Sequence, residues 1–305
     1  MRFWLQLPQG GWVASRQNVR LYAVLAEELG FTGVWTGDHF VIPDGYDSQY
    51  PYGGRHPVAP DRPFLEAYTE LAYVAGMTDR IRLAVTLAVT PLRHPVAHAK
   101  TVATLDHLSG GRLELGLGSG WLREEFETLQ VPFRGRQAIT DEYIEAMRLL
   151  WTGDSVSFAG KMVSFTDLHC LPRPAQRPHP PLWIGGSGQR AFERIAHFGA
   201  GWLAPDLPLA GYLDKLADAG AGAGDGGGLS RVFGKVWVTP RADGADDSLS
   251  IGVETSADLD VLRRMATAGT TDIRLDLSRH PSRQRPQLIH ALAQVLRSEG
   301  WLDVR

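Results

Sequence analysis

The sequence predicts an α/β protein of the (β/α)8 barrel class, and three observations carry that prediction. Eight apolar strand segments, near Arg2, Gly33, Ile81, Arg112, Leu182, Gly201, Val232 and Thr271, each precede a helical segment. Several of these strands are apolar on both faces, as parallel strands covered on both sides are. No early G-x-G-x-x-G fingerprint opens the chain, and the glycine-rich GLGSGW (116–121) follows the fourth strand without that spacing. Eight such units favour a barrel over the runner-up, an open doubly wound sheet.

Taken in order, RFWLQLP (2–8) reads as a strand and NVRLYAVLAEELG as a helix with Leu21, Val24, Leu25 and Leu29 on one face, stopped by Gly30. GVWTG (33–37) is the second strand, followed by a long loop (40–63) that holds Tyr46, Tyr50 and Tyr52. FLEAYTELAYVAGM is helical, and IRLAVTLAV (81–89) is a continuous apolar strand. PVAHAKTVATLDHLS is a helix with Pro95 in its first turn. GRLELGLGSG is a strand ending in glycines, and DEYIEAMRLLW (141–151) is a helix. DSVSFAGKMVSF reads as a small hairpin, and LPRPAQRPHPP (171–181) is too proline-rich for helix. LWIGG, GWLAP, VFGKVWV and TDIRLDL are the remaining strands, each with a helix after it. AGAGDGGG (221–228) reads as a flexible connector, and helical phase is weakest around 257–268.

The bulk properties bound the function. The chain has 305 residues, 44% of them hydrophobic, with a formal net charge of -3 and no large basic block, so nucleic acid is not an expected partner. Cys170 is the only cysteine, which excludes an intrachain disulfide and a cysteine metal cluster. The N-terminus lacks the pattern of a signal peptide, and no apolar window reaches the ~20 residues of a membrane helix. A soluble, cytoplasmic protein without membrane contact is expected. No metal site emerges. His94 and His98 stand four apart without the glutamate of a zinc protease motif, and both read as surface or packing histidines.

In a barrel the C-terminal strand ends and their loops build the active site. GVWTGDHFVIP (33–43) ends the second strand on Asp38 and His39. A histidine at this rim can exchange a proton near neutrality, and no G-x-S-x-G elbow accompanies it to indicate acyl transfer. The competing reading is a capping aspartate beside a structural histidine. The fourth strand ends in GLGSGW, where Gly118 and Ser119 allow close backbone approach to a flat ligand and Trp121 stacks on it or packs as core. REEF (123–126) starts a helix with Glu124 and Glu125 near its positive end. The fifth strand ends in IGGSGQRA (184–191). Gly185, Gly186, Ser187 and Gly188 precede a helix, where free N–H groups and a hydroxyl hold a phosphate, with Arg190 nearby. The bland alternative there is a serine-capped helix.

GVWTGDHF, LAVTPLRHP, LDHLSGGRLELGLGSGW and PPLWIGGSG together resemble the bacterial luciferase-like flavin and deazaflavin oxidoreductases, most closely from Met1 to about Ala204. The resemblance implies a luciferase-like (β/α)8 TIM barrel spanning 1–305, with an inserted excursion between the fourth and fifth strands at about 154–180. It implies a cofactor across the strand ends, its phosphate toward Gly185–Gly188, and a non-proline cis peptide between Leu87 and Ala88 pressing on the ring. Thr90 matches a residue near the pyrimidine side. Asp38-His39 looks like the branch that uses coenzyme F420, a deazaflavin, in which the matching histidine abstracts the substrate proton. The implied reaction is hydride transfer between the deazaflavin carbon and a small organic substrate. The alternative is an FMN-dependent monooxygenase using reduced flavin and oxygen, supplied by a separate reductase. A non-catalytic ligand-binding barrel is a third reading. Where the family's sugar-phosphate dehydrogenases carry a glutamate proton donor, this chain has Trp121, which argues against that reaction. Ala88, Thr90, Trp121 and His39 are expected to line one pocket, with Asp38 orienting His39 and the tyrosine loop over the substrate side. Arg173, Arg177 and Lys161 are expected contacts for the coenzyme's acidic tail, and a homodimer is expected from resemblance alone.

Overall fold

A computed structural model describes residues 1–50, 59–222, 231–238, 250–252, 259–278 and 280–302. Eight parallel strands close into a barrel: β1 (Arg2–Gln6), β2 (Gly33–Thr36), β3 (Arg82–Val89), β4 (Leu113–Gly118), β7 (Leu182–Gly185), β8 (Gly201–Leu203), β9 (Val232–Val238) and β11 (Asp272–Asp276). The ring closes because β8 pairs with β9, and β11 pairs with both β9 and β1. Each expected strand is present, and the open sheet is excluded by that closure. Two antiparallel strands, β5 (Val156–Ala159) and β6 (Ser164–Leu168), form the hairpin between the fourth and fifth barrel strands. A short β10 (Ser250–Ile251) alongside β9 had no sequence signal strong enough to be read.

The helices α1 (Arg16–Glu28), α2 (Ala67–Ala75), α3 (Pro95–Leu108), α4 (Arg123–Thr128), α5 (Arg136–Thr152), α6 (Gln189–Phe198), α7 (Leu209–Gly222), α8 (Asp260–Thr267) and α9 (Arg285–Ser298) follow in chain order. α2 starts later than the apolar pattern implied, because Phe64 bridges to Gly10 and Leu65 N–H donates to the Gln9 carbonyl. α5 begins five residues before Asp141, after Gly135 at φ 84°. Most of the connector 221–228, and Tyr52, lie outside the described residues. Among the described residues no helix is long and apolar enough to cross a membrane.

Inside the barrel, Trp4, Trp35, Ala84, Trp183, Leu203 and Phe233 form a separate buried cluster, with Phe233 lying 5.2 Å from Trp4 and 4.8 Å from Trp183 between ring centroids. Two glycines make this filling possible. A Cβ on Gly33 would sit 2.2 Å from the Trp4 ring, and one on Gly201 would sit 2.5 Å from the Trp183 ring. Beneath the indoles, at the N-terminal strand ends, lie Glu114 and Asp272, both buried. Glu114 takes Arg82 at 2.7 Å, Arg231 at 2.9 Å and the Trp183 Nε1–H at 2.8 Å. Asp272 takes Arg2 at 2.7 Å and Trp4 Nε1–H at 2.8 Å. Buried charge is tolerated there because each carboxylate is met by cations and indole donors.

The proline run returns the chain to the bottom of the barrel, where β7 must begin. Gln176 anchors it, its Nε2 donating to the Leu113 carbonyl at 2.7 Å and to Asp106 Oδ1 at 2.7 Å while its Oε1 accepts from Arg82. Arg177 follows Gln176 directly, and Arg173 pairs with Asp154 just past α5. Arg173, through Asp154, and the exposed Arg177, beside the anchored Gln176, therefore lie at the face opposite the C-terminal strand ends. The cis peptide also differs from expectation. It joins Thr86 and Leu87, one residue before the Leu87–Ala88 bond, at the point where the β3–β4 register shifts between Val85 and Ala88.

Candidate active site

Strand alternation sorts the end of β2. Thr36 faces outward and donates to Glu70 on α2 at 2.6 Å, whereas Trp35 faces the barrel interior. Asp38 shares the outward phase. Its carboxylate accepts from Arg93 Nη1 at 2.6 Å, from Arg93 Nη2 at 2.8 Å and from Val89 N–H at 2.9 Å. Asp38 thus belongs to an ionic clasp that Glu66 completes at 2.7 Å from Arg93. Burial alone would lower the Arg93 pKa, but the bonds and charge of Asp38, with Tyr68 and Glu66, carry it well above the ordinary value. Behind the clasp, Tyr68 contacts His98 Nε2 at 2.5 Å. Burial and the Arg93 charge push the His98 pKa down to about 3, so it is a neutral packing histidine.

The partner of His39 is Glu125, which sequence reasoning left at a helix end. Nδ1 of His39 lies 2.8 Å from Glu125 Oε2, while Oε1 accepts from Phe40 N–H at 2.6 Å and Val41 N–H at 3.3 Å. Glu125 is 1% exposed. A signal for it existed: Leu122, Glu125, Phe126 and Leu129 follow the i, i+3, i+4, i+7 spacing of an inward stripe, so a glutamate there needs a buried partner. Because an ionised carboxylate only accepts, neutral His39 carries its proton on Nδ1 and presents a lone pair at Nε2. Trp121 meets His39 edge-on at 6.0 Å, and Tyr46 and Tyr50 meet Trp121 at 5.8 Å and 5.1 Å. Phe64 closes the group 5.9 Å from His39. The fold brings His39 and Trp121 together, with Tyr46 and Tyr50 against Trp121.

The ring side of the site is built by β3, β4 and β7. Leu87 is the residue that reaches across the strand ends: Cβ atoms on Gly118 and Gly185 would lie 2.6 Å and 2.2 Å from its methyl carbons. Ala88 is fully buried in the outer core between barrel and helices, whereas Leu87 packs against the interior cluster, where the β3–β4 register shifts. Thr86 and Thr90 flank this turn, and the buried Oγ1 of each has no partner among the described residues. Trp35 Nε1, also buried, has none among them either. Buried polar groups are nearly always satisfied, and three such atoms near one barrel mouth are what a polar heterocycle could satisfy.

The glycine loop after β7 lies beside this region. Gly186 has φ 119°, its carbonyl accepts from Trp202 Nε1 at 2.7 Å, and a Cβ on Gly188 would meet nothing within 4 Å. No side chain caps α6, whose N-cap is Gly188. Open space above an uncapped helix start, with the Ser187 hydroxyl adjacent, suits a phosphate. Ser119 plays another part. Its hydroxyl donates to Gln137 Oε1 at 2.9 Å and accepts from Thr140 at 3.0 Å and Arg194 at 3.3 Å. Ser119 is therefore a joint between the β4 loop, α5 and α6. Arg194, bonded to Asp141, was not anticipated, and Asp141 also draws Arg190 to 3.6 Å. Lys161 sits at the hairpin tip, where its N–H donates to Glu142 at 2.9 Å.

Across the mouth, Lys235 is held between Asp206 at 2.8 Å and Asp276 at 3.0 Å and lies 4.0 Å from the Trp237 ring centroid. Arg274 spans the interior, over Trp35 and Phe233, and donates to the Ala204 carbonyl at 2.6 Å. These residues lay in strands read only for their apolar pattern. A surface depression lined by Leu213, Arg263, Arg264, Thr267 and Ala268 lies on the outer helices α7 and α8, away from the mouth. Among the described residues no group of three metal-ligating side chains occurs.

The arrangement combines a histidine held by a carboxylate, an aromatic cover, two threonine hydroxyls that meet no partner among the described residues, and an uncapped helix start beside Ser187. Similar proteins share the framework. Protein Rv0953c of Mycobacterium tuberculosis is 35% identical over 256 residues, covering 82% of this chain and 84% of its own. The FMNH(2)-dependent dimethylsulfone monooxygenase of Pseudomonas putida is 25% identical over 270 residues, covering 85% and 70%. By fold, the chain matches an F420-dependent secondary alcohol dehydrogenase solved with an F420–acetone adduct (TM-score 0.74, 17% identity, 99% of each chain). It equally matches the monooxygenase RslO1 of Streptomyces bottropensis (TM-score 0.75, 23% identity, 98% and 100%). Residues 2–236 match the luciferase-like monooxygenase family, and the chain belongs to that family of oxidoreductases and monooxygenases.

Proposed function

We propose that the protein is an F420-dependent oxidoreductase acting on a small organic substrate, with His39 as the proton carrier. The observation that carries this reading is the buried Glu125–His39 pair, which sets a base at Nε2 beside Trp121. A bound deazaflavin supplies hydride acceptance or donation at its ring carbon. The chain's own residues do the rest. In the oxidative direction His39 Nε2 takes the substrate hydroxyl proton, and the resulting imidazolium is stabilised by the Glu125 carboxylate. In reverse, the same imidazolium protonates the developing alkoxide. Trp121, Tyr46 and Tyr50 exclude water, which strengthens that ion pair. Thr86, Thr90 and Leu87, whose side chain packs over Gly118 and Gly185, would hold the ring, and Gly186, Ser187 and Gly188 the phosphate. Asp38 holds the rim through Arg93 and takes no proton.

The dimethylsulfone monooxygenase relative favours a second reading, in which reduced FMN and oxygen are used and a separate reductase supplies the flavin. Parallel titrations with F420 and FMN, followed by absorbance, separate the two. Tight F420 binding with no oxygen uptake in the presence of reduced FMN supports the proposal, and oxygen uptake with reduced FMN overturns it. In the same titration Gly188→Val should raise the cofactor Kd by about tenfold or more, equivalent to about 1.4 kcal/mol, with an unchanged melting temperature. The added side chain enters space that the protein leaves open. A homodimer completes the proposal, and light scattering that gives a stable monomer at micromolar concentration rejects that part.

A further inference from the structure

We propose that Asp38 and Arg93 are positioning residues for the cofactor ring: together they fix the backbone on both sides of Thr90 and so aim its hydroxyl. The proposal rests on the reading in which Thr90 meets the ring. Pairing between β2 and β3 ends where Thr36 lies opposite Val85, four residues before the end of β3 at Val89. Beyond that point a side chain replaces the missing strand, and Asp38 Oδ2 accepts from Val89 N–H at 2.9 Å. Thr90 comes next and opens a single 3-10 turn, Thr90–Leu92, closed by Arg93 N–H on the Thr90 carbonyl at 3.4 Å. The Arg93 side chain then turns back, and its two Nη atoms meet the two Asp38 oxygens at 2.6 Å and 2.8 Å. Asp38, Val89, Thr90 and Arg93 thus form a closed circuit that brackets Thr90 from both sides.

The circuit is braced from outside. Glu66 Oε1 lies 2.7 Å from Arg93 Nη2, while Glu66 Oε2 accepts from Thr69 N–H at 2.8 Å in the first turn of α2. The guanidinium also lies 4.1 Å from the Phe40 ring centroid and 5.0 Å from that of Tyr68. A planar fork can meet two carboxylates and two rings at once, which a lysine ammonium cannot. Thr90 itself is buried, and its Oγ1 meets no partner among the described residues. A β-branched side chain has few rotamers, so this hydroxyl goes where its backbone goes. His39, next to Asp38 in the chain, is held by Glu125. Adjacent residues therefore serve different parts of the site, His39 the substrate proton and Asp38 the cofactor wall.

The test titrates the full chain with F420 and with FMN in parallel, followed by absorbance, and builds a double-mutant cycle on whichever one the wild type binds. Arg93→Lys keeps the charge and loses the fork. Asp38→Asn fills the same space but turns an N–H toward either Arg93 or Val89. Each should raise the cofactor Kd by roughly tenfold and, without any ligand, speed hydrogen exchange at the Val89 amide by roughly tenfold or more. Thr90→Val, expected to cost about fivefold in the wild type, should cost less than about twofold once Arg93→Lys is present, because the hydroxyl is no longer aimed. Gly188→Val, at the phosphate loop, should keep its full effect in that background. If Arg93→Lys does not fold, the same cycle is run on Asp38→Asn. Additive effects of Arg93→Lys and Thr90→Val would overturn the proposal, and so would an unchanged Kd or unchanged Val89 exchange in both single variants. Loss of the Gly188→Val effect as well would mean a general loosening and also overturn it. A wild type that binds FMN alone defeats the F420 reading, and the cycle with FMN still decides the positioning role. A wild type that binds neither defeats the cofactor reading and this proposal with it.

Discussion

The two ends of the barrel treat buried polarity in opposite ways. At the N-terminal strand ends, Glu114 and Asp272 are as deeply buried as any residue in the chain, and each is surrounded by arginines and an indole N–H. At the C-terminal ends, Thr86, Thr90 and Trp35 bury polar atoms that meet no partner among the described residues. Both ends use the same strands and the same alternation. The difference is that the lower groups are matched within the chain, whereas the upper ones meet no partner among the described residues. Stability should therefore depend on the lower end and ligand affinity on the upper.

The largest expected separation is catalytic. His39→Ala should cut turnover by roughly 10²- to 10⁴-fold with little change in cofactor Kd or melting temperature. Single-turnover kinetics at the wild-type rate would remove His39 from the mechanism. At the other end, Glu114→Ala should destabilise the fold by about 3–5 kcal/mol by stranding Arg82, Arg231 and the Trp183 N–H. Chemical denaturation measures this, and the folded fraction should bind cofactor normally. If affinity falls instead of stability, the division between the ends fails.

A third variant sharpens the contrast through pH. Glu70 is buried against the Thr36 hydroxyl, with no ion pair among the described residues. Burial, with the nearby Glu66 charge, outweighs the Thr36 hydrogen bond and raises its pKa from 4.5 to about 7. Between pH 4.5 and 7 the folded chain then binds more protons at this site than the unfolded chain, so the site's contribution falls as pH rises through that window. Glu70→Gln should be more stable than wild type at pH 8 by up to about 3 kcal/mol and should lose that advantage near pH 4. Equal denaturation midpoints at both pH values would show that Glu70 is ionised at no cost. The smallest effect is expected from Thr90→Val. Removing an unpartnered buried hydroxyl should stabilise the ligand-free protein by up to about 1 kcal/mol while weakening cofactor binding about fivefold. A loss of stability would mean that the hydroxyl is satisfied within the protein.

Sequence alone located what depends on neighbours along the chain. Strands such as IRLAVTLAV and GVWTG are blocks of apolar residues bounded by breakers, so all eight were legible, as were the glycine loop at 185–188 and the rim position of His39. What stayed hidden depends on contacts across the fold. Asp38 and His39 are adjacent, yet pleating sends them to opposite sides, where Asp38 meets Arg93 and His39 meets a residue 86 positions away. The register shift in β3 sets Leu87 against the interior cluster and Ala88 in the outer core, which no pattern of apolar residues reveals. The basic residues of the proline run were legible, but the end of the barrel they reach is set by where β7 starts.

Glutamates on helices recur as fasteners for neighbouring loops. Glu27 takes the amides of Asp79, Arg80 and Ile81, Glu142 takes those of Lys161, Met162 and Val163, and Glu124 and Glu125 do the same for the loop over the mouth. These carboxylates read main-chain N–H groups, which every amino acid but proline provides. The side chains at those loop positions are thereby freed from any duty in anchoring. Mutational drift can rewrite the side chains of these loops one residue at a time while the attachment points stay fixed, and proline is the one replacement that removes an attachment outright.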